Sequence, residues 1–127
     1  MADRSILVVD DNEINRGILG EIFKDKYNIL EAGDGVEALK MMEENEGKLA
    51  AVLLDIVMPE VGGIEALQVM KEVSPEVPVV MLSSAGSPQT LMTTLKMGAM
   101  EFIQKPYKSE QIKKVVETIR KKVGLDG

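Results

Sequence analysis

Cysteine and histidine are both absent from this chain of 127 residues. Without cysteine, the chain has no disulfide framework, no thiol nucleophile and no cysteine-bound zinc. Without histidine, it lacks the commonest general base and the usual ligand of transition metals. Any chemistry must therefore depend on carboxylates, hydroxyls, lysine and a hard metal ion.

Long apolar runs, aromatic residues and excess basic charge are also scarce. No apolar run approaches the roughly 20 residues that span a bilayer, and no signal-peptide core follows the polar start, residues 1–4. We therefore predict a cytoplasmic protein without a membrane partner. The net charge of −6, from 21 acidic and 15 basic residues, argues against a nucleic-acid partner, which would need a basic surface. With 3% aromatic residues and nine methionines, the core is predicted to be aliphatic, with Met filling gaps.

The remaining composition, 45% apolar and 28% charged, is that of one globular domain. Short β-like runs alternate with segments of helical period, which predicts an α/β fold of the (βα)5 type, a doubly wound parallel sheet covered on both faces. The expected strand order is 2-1-3-4-5, as in flavodoxin-like folds. The second strand is predicted over residues 28–32, and the helices over 13–23, 36–45, 64–73, 87–97 and 109–123. Ser87-Pro88 is predicted to begin the fourth helix.

Three of these helices carry apolar stripes that we expect to face the sheet. The stripe residues are Ile14, Ile18, Leu19 and Ile22 in the first helix, Ala38, Leu39 and Met42 in the second, and Ile112, Val115, Val116 and Ile119 in the fifth. We expect the domain to cover residues 1–123. Gly124 is predicted to end the last helix and to begin a tail or linker over 124–127.

Four short β-like runs each lead into a residue suited to handling a phosphoryl group. The runs 6–9, 51–54, 79–82 and 101–104 lead into Asp10-Asp11, Asp55, Ser83 and Lys105-Pro106, respectively. Because the carboxyl ends of parallel strands share one edge of the sheet, where open α/β sheets bind ligands, these groups are expected to lie together. Three carboxylates repel one another unless a hard divalent cation lies among them. The sequence therefore predicts a Mg²⁺ site at this edge.

Each of these residues also has a purely structural explanation. An Asp near a helix start can cap the helix, but two in a row that face Asp55 carry more charge than a cap needs. Asp55 could simply end a strand. The residues Met58-Pro59 and Gly62-Gly63, however, predict an open loop above a carboxylate that could attack phosphorus beside Mg²⁺. Ser83 and Lys105 are weak signals alone, but at a shared edge they could each hold a phosphoryl oxygen.

The chain resembles the receiver domain of bacterial two-component response regulators over essentially its whole length. The resemblance rests on the residues named above in their order and spacing, on residues 54–59 with Gly62-Gly63, and on the segment 97–107. Receiver domains are themselves a known example of the 2-1-3-4-5 order. The expected strand order is therefore not independent of the resemblance.

The resemblance implies a role for each site residue. Asp55 would accept a phosphoryl group from a phosphohistidine of a sensor histidine kinase or phosphotransfer protein. Mg²⁺, replaceable by Mn²⁺, would be bound by Asp11, Asp55 and the main-chain carbonyl of Val57, with Asp10 helping through water. The Lys105–Pro106 bond is expected to be cis. The chain, lacking histidine, cannot be the phosphohistidine donor.

The resemblance also implies a switch rather than an enzyme acting on other molecules. Ser83 would move toward the phosphoryl group and Phe102 would rotate inward behind it, although Phe102 also reads as a strand residue packed under the fourth helix. The readout surface would be the fourth helix, fifth strand and fifth helix, contacting an output domain or a target protein, with a homodimer as one possible outcome. Val57 and Ala85, two residues beyond Asp55 and Ser83, cannot orient an attacking water, so we expect slow hydrolysis.

Three rival functions fit the sequence less well. A Mg²⁺-dependent phosphatase or phosphotransferase with an Asp nucleophile usually has a second carboxylate two residues later, where this chain has Val57. A flavin-binding electron carrier needs a phosphate loop after the first strand, where residues 10–13 instead offer three acids. A degenerate receiver that only binds partners would not need every site residue. The chain is expected to be either a single-domain regulator or part of a longer one.

Overall fold

The computed structural model describes residues 4–56, 63–83 and 88–122. Strands and helices alternate through these ranges as β1 Ser5–Val9, α1 Glu13–Phe23, β2 Asn28–Ala32, α2 Gly35–Glu44, β3 Leu49–Asp55, α3 Gly63–Val73, β4 Val79–Ser83, α4 Pro88–Lys96, β5 Glu101–Gln104 and α5 Ser109–Lys122. The predicted helix ends agree to within one residue. The predicted helix start at Ser87 and helix end at Gly124 lie outside the described ranges. No helix within them is both long and apolar enough to cross a bilayer.

The five strands form one parallel sheet in the order β2-β1-β3-β4-β5. The predicted fold class and strand order are therefore confirmed. In the ladder, Val9 pairs with Leu54, Asp55 pairs with Leu82, and Ser83 pairs with Gln104. The carboxyl ends of the central strands consequently lie side by side at one edge of the sheet.

The sheet separates two apolar clusters, because successive residues of a strand point to opposite faces. In β1, Leu7 and Val9 pack in a cluster that also contains residues of α2 and α3. Ile6 and Val8 pack in the other cluster, with residues of α1 and α5. Every residue of β1, β3 and β4 is buried, which explains why their sequences are near-continuous apolar runs rather than alternating ones.

The predicted inner stripe holds for α2 and α5 but is partly wrong for α1. Ile14 and Ile18 are 73% and 52% exposed, whereas Leu19 and Phe23 are buried. Gly20 lies against β2, where a Cβ would be 3.3 Å from a methyl of Ile29. At about 3.6 residues per turn, Ile14 and Ile18 lie more than roughly a quarter turn around the helix from Leu19 and Phe23, so they face solvent. In α2 and α5 the predicted apolar residues are buried or packed against the two clusters.

Candidate functional site

Backbone hydrogen bonds hold the strand ends together where the polar residues begin. The Asp10 N–H donates to the Ala32 carbonyl at 3.1 Å, which ties the end of β1 to β2. Farther along the same edge, the Ile56 N–H donates to Leu82 at 3.1 Å and the Lys105 N–H donates to Ser83 at 2.8 Å. These hydrogen bonds, which continue the parallel ladder, hold the main chain in place at the polar residues.

Three carboxylates meet at this edge. Asp10, Asp11 and Asp55 each offer a carboxylate oxygen, and these oxygens lie within 4.8 Å of one another. Asp10 and Asp55 are 1% and 8% exposed, whereas Asp11 is open to solvent. Carboxylate oxygens are the ligands that Mg²⁺ takes in proteins, usually one or two together with water. The donor set therefore fits a hexacoordinate hard cation that keeps part of its water shell.

The Lys105 ammonium group lies between two of these carboxylates. Its Nζ is 3.3 Å from Asp10 Oδ2 and 3.6 Å from Asp55 Oδ2, and its side chain is 21% exposed. Three negative charges less one positive charge leave two negative charges at the site, which matches a divalent cation. The Lys105–Pro106 peptide bond is cis.

The turn between β1 and α1 is capped by Asn12 and not by either acid. Asn12 Oδ1 accepts hydrogen bonds from the N–H groups of Ile14 and Asn15 at 2.9 and 3.1 Å. Asp10 Oδ1 in turn accepts a hydrogen bond from the Asn12 N–H at 2.9 Å. Because Asn12 supplies the cap, helix capping does not account for Asp10-Asp11. Asn12 is not among the residues predicted for the site, although Asn before Glu13 is a common start signal for a helix.

Gly63 lets α3 begin directly against the strand end that carries Asp55. The Gly63 N–H donates to the Ile56 carbonyl at 2.9 Å. A Cβ at this position would overlap the Asp55 carbonyl oxygen and lie 2.6 Å from the Ile56 Cα. Glycine is thus required here by close approach of two backbones, and this contact fixes the main chain on which Asp55 stands.

Tyr107 reaches the same region from the residues after β5. It is half-buried against the cluster shared by α1 and α5. Burial raises the pKa of its hydroxyl, and the negative charge of Asp10 raises that pKa further. Tyr107 is not among the predicted site residues, because an isolated Tyr after Lys-Pro carries no local sign of a neighbouring carboxylate.

Comparisons with known proteins agree with this geometry. The family described as response regulator receiver domain matches residues 6–117. The chain belongs to this receiver family. The receiver is 34% identical to the chemotaxis protein CheY of Halobacterium salinarum, over 91% of this chain and 96% of that protein. It is 36% identical to a putative NtrX-like response regulator of Rickettsia bellii, over 84% of this chain but 23% of that protein.

A solved structure shares both sequence and fold with the receiver. The CheX–CheY–BeF3–Mg²⁺ complex of Borrelia burgdorferi matches with a TM-score of 0.87 and 31% identity, covering 91% of this chain and 88% of that one. The receiver thus spans nearly all of one CheY and about a quarter of the NtrX-like relative.

Two further residues of the predicted site lie in the sheet of the receiver. Ser83 is the last residue of β4 and is fully buried. Phe102 pairs with Met81 across β4 and β5. It packs, half-buried, against the cluster that includes Ala99, as does Met97, the residue directly after α4. The predicted ligand Val57 lies outside the described residues, as do Met58-Pro59, Gly62 and Ala85.

Proposed function

We propose that this receiver domain accepts a phosphoryl group on Asp55, with Mg²⁺, from a sensor histidine kinase or phosphotransfer protein. The observation that carries the proposal is the meeting of Asp10, Asp11 and Asp55 within 4.8 Å beside the ammonium group of Lys105. A structural ion pair would need one carboxylate for one ammonium. The two further carboxylates, one of them almost fully buried, are explained by a divalent cation.

The proposed metal ligands are Asp11, Asp55 and the main-chain carbonyl of Val57, with Asp10 acting through water. Mg²⁺ is the proposed cofactor and Mn²⁺ the proposed substitute, because both prefer carboxylate, carbonyl and water oxygens. The bound cation would lower the cost of bringing an anionic phosphoryl group to a carboxylate. The related complex from Borrelia burgdorferi contains Mg²⁺, which supports the same cofactor here.

The proposed step is a single displacement at phosphorus. An Asp55 carboxylate oxygen attacks the phosphorus of the partner's phosphohistidine, a new P–O bond forms and the P–N bond breaks. The electron pair of that bond returns to the partner's imidazole, which takes a proton from solvent. Lys105 and Ser83 would donate hydrogen bonds to phosphoryl oxygens as charge develops on them. Hydrolysis of the aspartyl phosphate is proposed to be slow, since Val57 and Ala85 cannot orient a water.

The proposed output is a change in the surface formed by α4, β5 and α5. Ser83 and Phe102 would have two arrangements, and only one of these arrangements would bring Ser83 into contact with the phosphoryl group. Phosphorylation would therefore favour that arrangement. Met92 and Met100 are exposed on or near this surface, at 53% and 36%, and are available to an output domain, a target protein or a second copy. We propose the cytoplasm as the location, and we propose no direct contact with nucleic acid or membrane.

Incubation with acetyl phosphate and Mg²⁺, followed by intact-mass spectrometry, tests the chemistry. Wild-type protein should gain one base-labile phosphoryl group, and Asp55→Asn should gain none. Chelation of Mg²⁺ with EDTA should abolish the gain. A stable adduct that persists in Asp55→Asn would contradict the assignment of Asp55. Absence of an adduct on folded protein that binds Mg²⁺ would favour a receiver that depends strictly on its kinase or that no longer accepts phosphoryl groups.

A further inference from the structure

Arg16 connects the turn at Asp10-Asp11, which follows β1, to the neighbouring strand β2. Its Nη1 donates a hydrogen bond to the Asp10 main-chain carbonyl at 2.7 Å, and its Nε donates to Glu31 Oε1 at 3.0 Å. The Arg16 side chain is 18% exposed although it stands on α1 among surface residues. The guanidinium group is therefore held in place from two directions, by the end of β1 and by β2.

The carbonyl that Arg16 contacts belongs to the peptide group that joins Asp10 to Asp11. Because a peptide group is planar, fixing the direction of its carbonyl fixes the rotation of the whole unit between the two Cα atoms. The preceding peptide group, which joins Val9 to Asp10, is already held by the bond from the Asp10 N–H to the Ala32 carbonyl. With the peptide groups on both sides of the Asp10 Cα held, the backbone path from Asp10 to Asp11 is fixed, and this path sets where the two carboxylates lie relative to Asp55. A contact that fixes it acts on two of the three acidic residues at once.

We propose that Arg16 is a positioning residue for the divalent cation, holding the Asp10–Asp11 peptide so that both carboxylates face Asp55. The proposal deepens the proposed function and rests on it. Arginine suits this task because its planar fork donates in two fixed directions, whereas the single ammonium group of lysine cannot serve Glu31 and the carbonyl with the same geometry. Residues that orient metal ligands without touching the metal typically change metal affinity by about 10-fold or more when they are replaced.

If Arg16 acted only through its charge, its loss would change the affinity for the cation in the opposite direction. Removal of a positive charge close to a cation site should strengthen cation binding. Positioning predicts that the loss of Arg16 weakens it, because the carboxylates are no longer held in place. Arg16→Met thus separates the two effects by the direction of the change. Arg16→Lys separates them again, since it keeps the charge and loses the two-directional contact.

Isothermal titration of metal-free protein with Mg²⁺ tests the proposal. We expect Arg16→Met and Arg16→Lys each to raise the Mg²⁺ dissociation constant by about 10-fold. Lys24→Met is the matched control: Lys24 is an exposed cation at the C-terminal cap of the same helix, paired with Glu21 at 2.8 Å, and its loss should leave the constant within about 2-fold of wild type. Unchanged or tighter binding by both Arg16 variants would overturn the proposal. If wild-type protein itself binds no Mg²⁺, the proposed function fails, whatever the variants do.

A second readout separates positioning from a general loss of structure. Far-ultraviolet circular dichroism should show folded Arg16 variants, with Arg16→Lys available if Arg16→Met does not fold. The rate of phosphorylation by acetyl phosphate should then need more Mg²⁺ to reach half its maximum, while the rate at saturating Mg²⁺ returns to near the wild-type value. A rate that stays low at saturating Mg²⁺, with an unchanged half-saturation point, would contradict positioning of the cation.

Discussion

Lys105 Nζ lies 3.6 Å from Asp55 Oδ2, although β3, which ends in Asp55, and β5, which precedes Lys105, lie on opposite sides of β4. The same nitrogen lies 3.3 Å from Asp10 Oδ2. The ammonium group consequently offsets part of the repulsion among the acids before a cation binds. It also stands next to the carboxylate of Asp55, the proposed phosphoryl acceptor, so one side chain both stabilises the acidic site and could contact an incoming anion.

Replacement of Lys105 by Met should change metal binding and phosphorylation in opposite directions. Removal of its positive charge leaves the carboxylates more attractive to a cation, so Mg²⁺ should bind about 3- to 10-fold more tightly, from an energy on the order of 1 kcal/mol. Loss of a donor to the phosphoryl oxygens should slow phosphorylation by acetyl phosphate by roughly 100-fold. Calorimetry and intact-mass kinetics measure the two effects.

Lys108→Met is the control for Lys105→Met, because Lys108 is an exposed lysine three positions later. Lys108→Met should change neither the Mg²⁺ dissociation constant nor the phosphorylation rate by more than about 2-fold. Comparison of Lys105→Met with Arg16→Met is also informative, because both variants remove one positive charge near the same acids. Mg²⁺ binding should nevertheless tighten in Lys105→Met and weaken in Arg16→Met. Weaker Mg²⁺ binding by Lys105→Met would show that Lys105 also holds the carboxylates in place.

Gly63→Ala should impair both stability and phosphorylation. The added Cβ would overlap the Asp55 carbonyl oxygen, so α3 or the end of β3 must move, at a cost of about 1–3 kcal/mol. Because the displaced backbone carries Asp55, the yield of phosphorylated protein should fall as well. Thermal unfolding and intact mass measure the two effects. Wild-type behaviour in both would mean that the close contact between α3 and β3 is not needed.

Gly98→Ala should reduce stability and spare phosphorylation. Gly98 has φ +105°, and a Cβ there would lie 3.2 Å from Cε of Lys71. A non-glycine residue in this conformation costs about 1–3 kcal/mol. Gly98 precedes β5 and so lies at the end of the sheet opposite Asp55. Thermal unfolding should shift, whereas the acetyl phosphate reaction, measured on folded protein, should not.

Gly17→Ala completes this comparison as a glycine variant with the opposite expectation. Gly17 is exposed in α1, and nothing lies within 4 Å of an added Cβ. It should stabilise the domain by roughly 0.5–1 kcal/mol, because alanine favours a helix. Equal destabilisation by all three alanines would indicate a loss common to any glycine and would contradict the contacts described at Gly63 and Gly98.

The sequence predicted the elements with strong local signals and missed relationships between distant residues. The strands were found because buried runs end abruptly in polar residues, as at Asp55, and the parallel arrangement then brought those ends together. The prediction of which residues of α1 face the sheet was partly wrong, because Ile14 and Ile18 fit a helical stripe as well as Leu19 does. Arg16 was missed because its partners, the Asp10 carbonyl and Glu31, are defined only once β1 and β2 pair.

Tyr107 should ionise above its ordinary pKa of 10.0 in metal-free protein. Burial disfavours the phenolate, and the Asp10 carboxylate repels it. Since the folded pKa is raised, Tyr107 does not affect the pH dependence of unfolding below pH 10.0. Stability should then fall as the pH rises from 10.0 through the raised folded pKa, a loss that Tyr107→Phe removes.

Near-ultraviolet absorbance of a Tyr27→Phe background isolates Tyr107, because the chain has two tyrosines. In that background Asp10→Asn should lower the pKa of Tyr107 toward 10.0 but not fully to it, since burial is the larger cause. Ionisation of Tyr107 at or below 10.0 would contradict its burial beside α5. A pKa that Asp10→Asn leaves unchanged would mean that the carboxylate contributes nothing and that desolvation alone holds the proton.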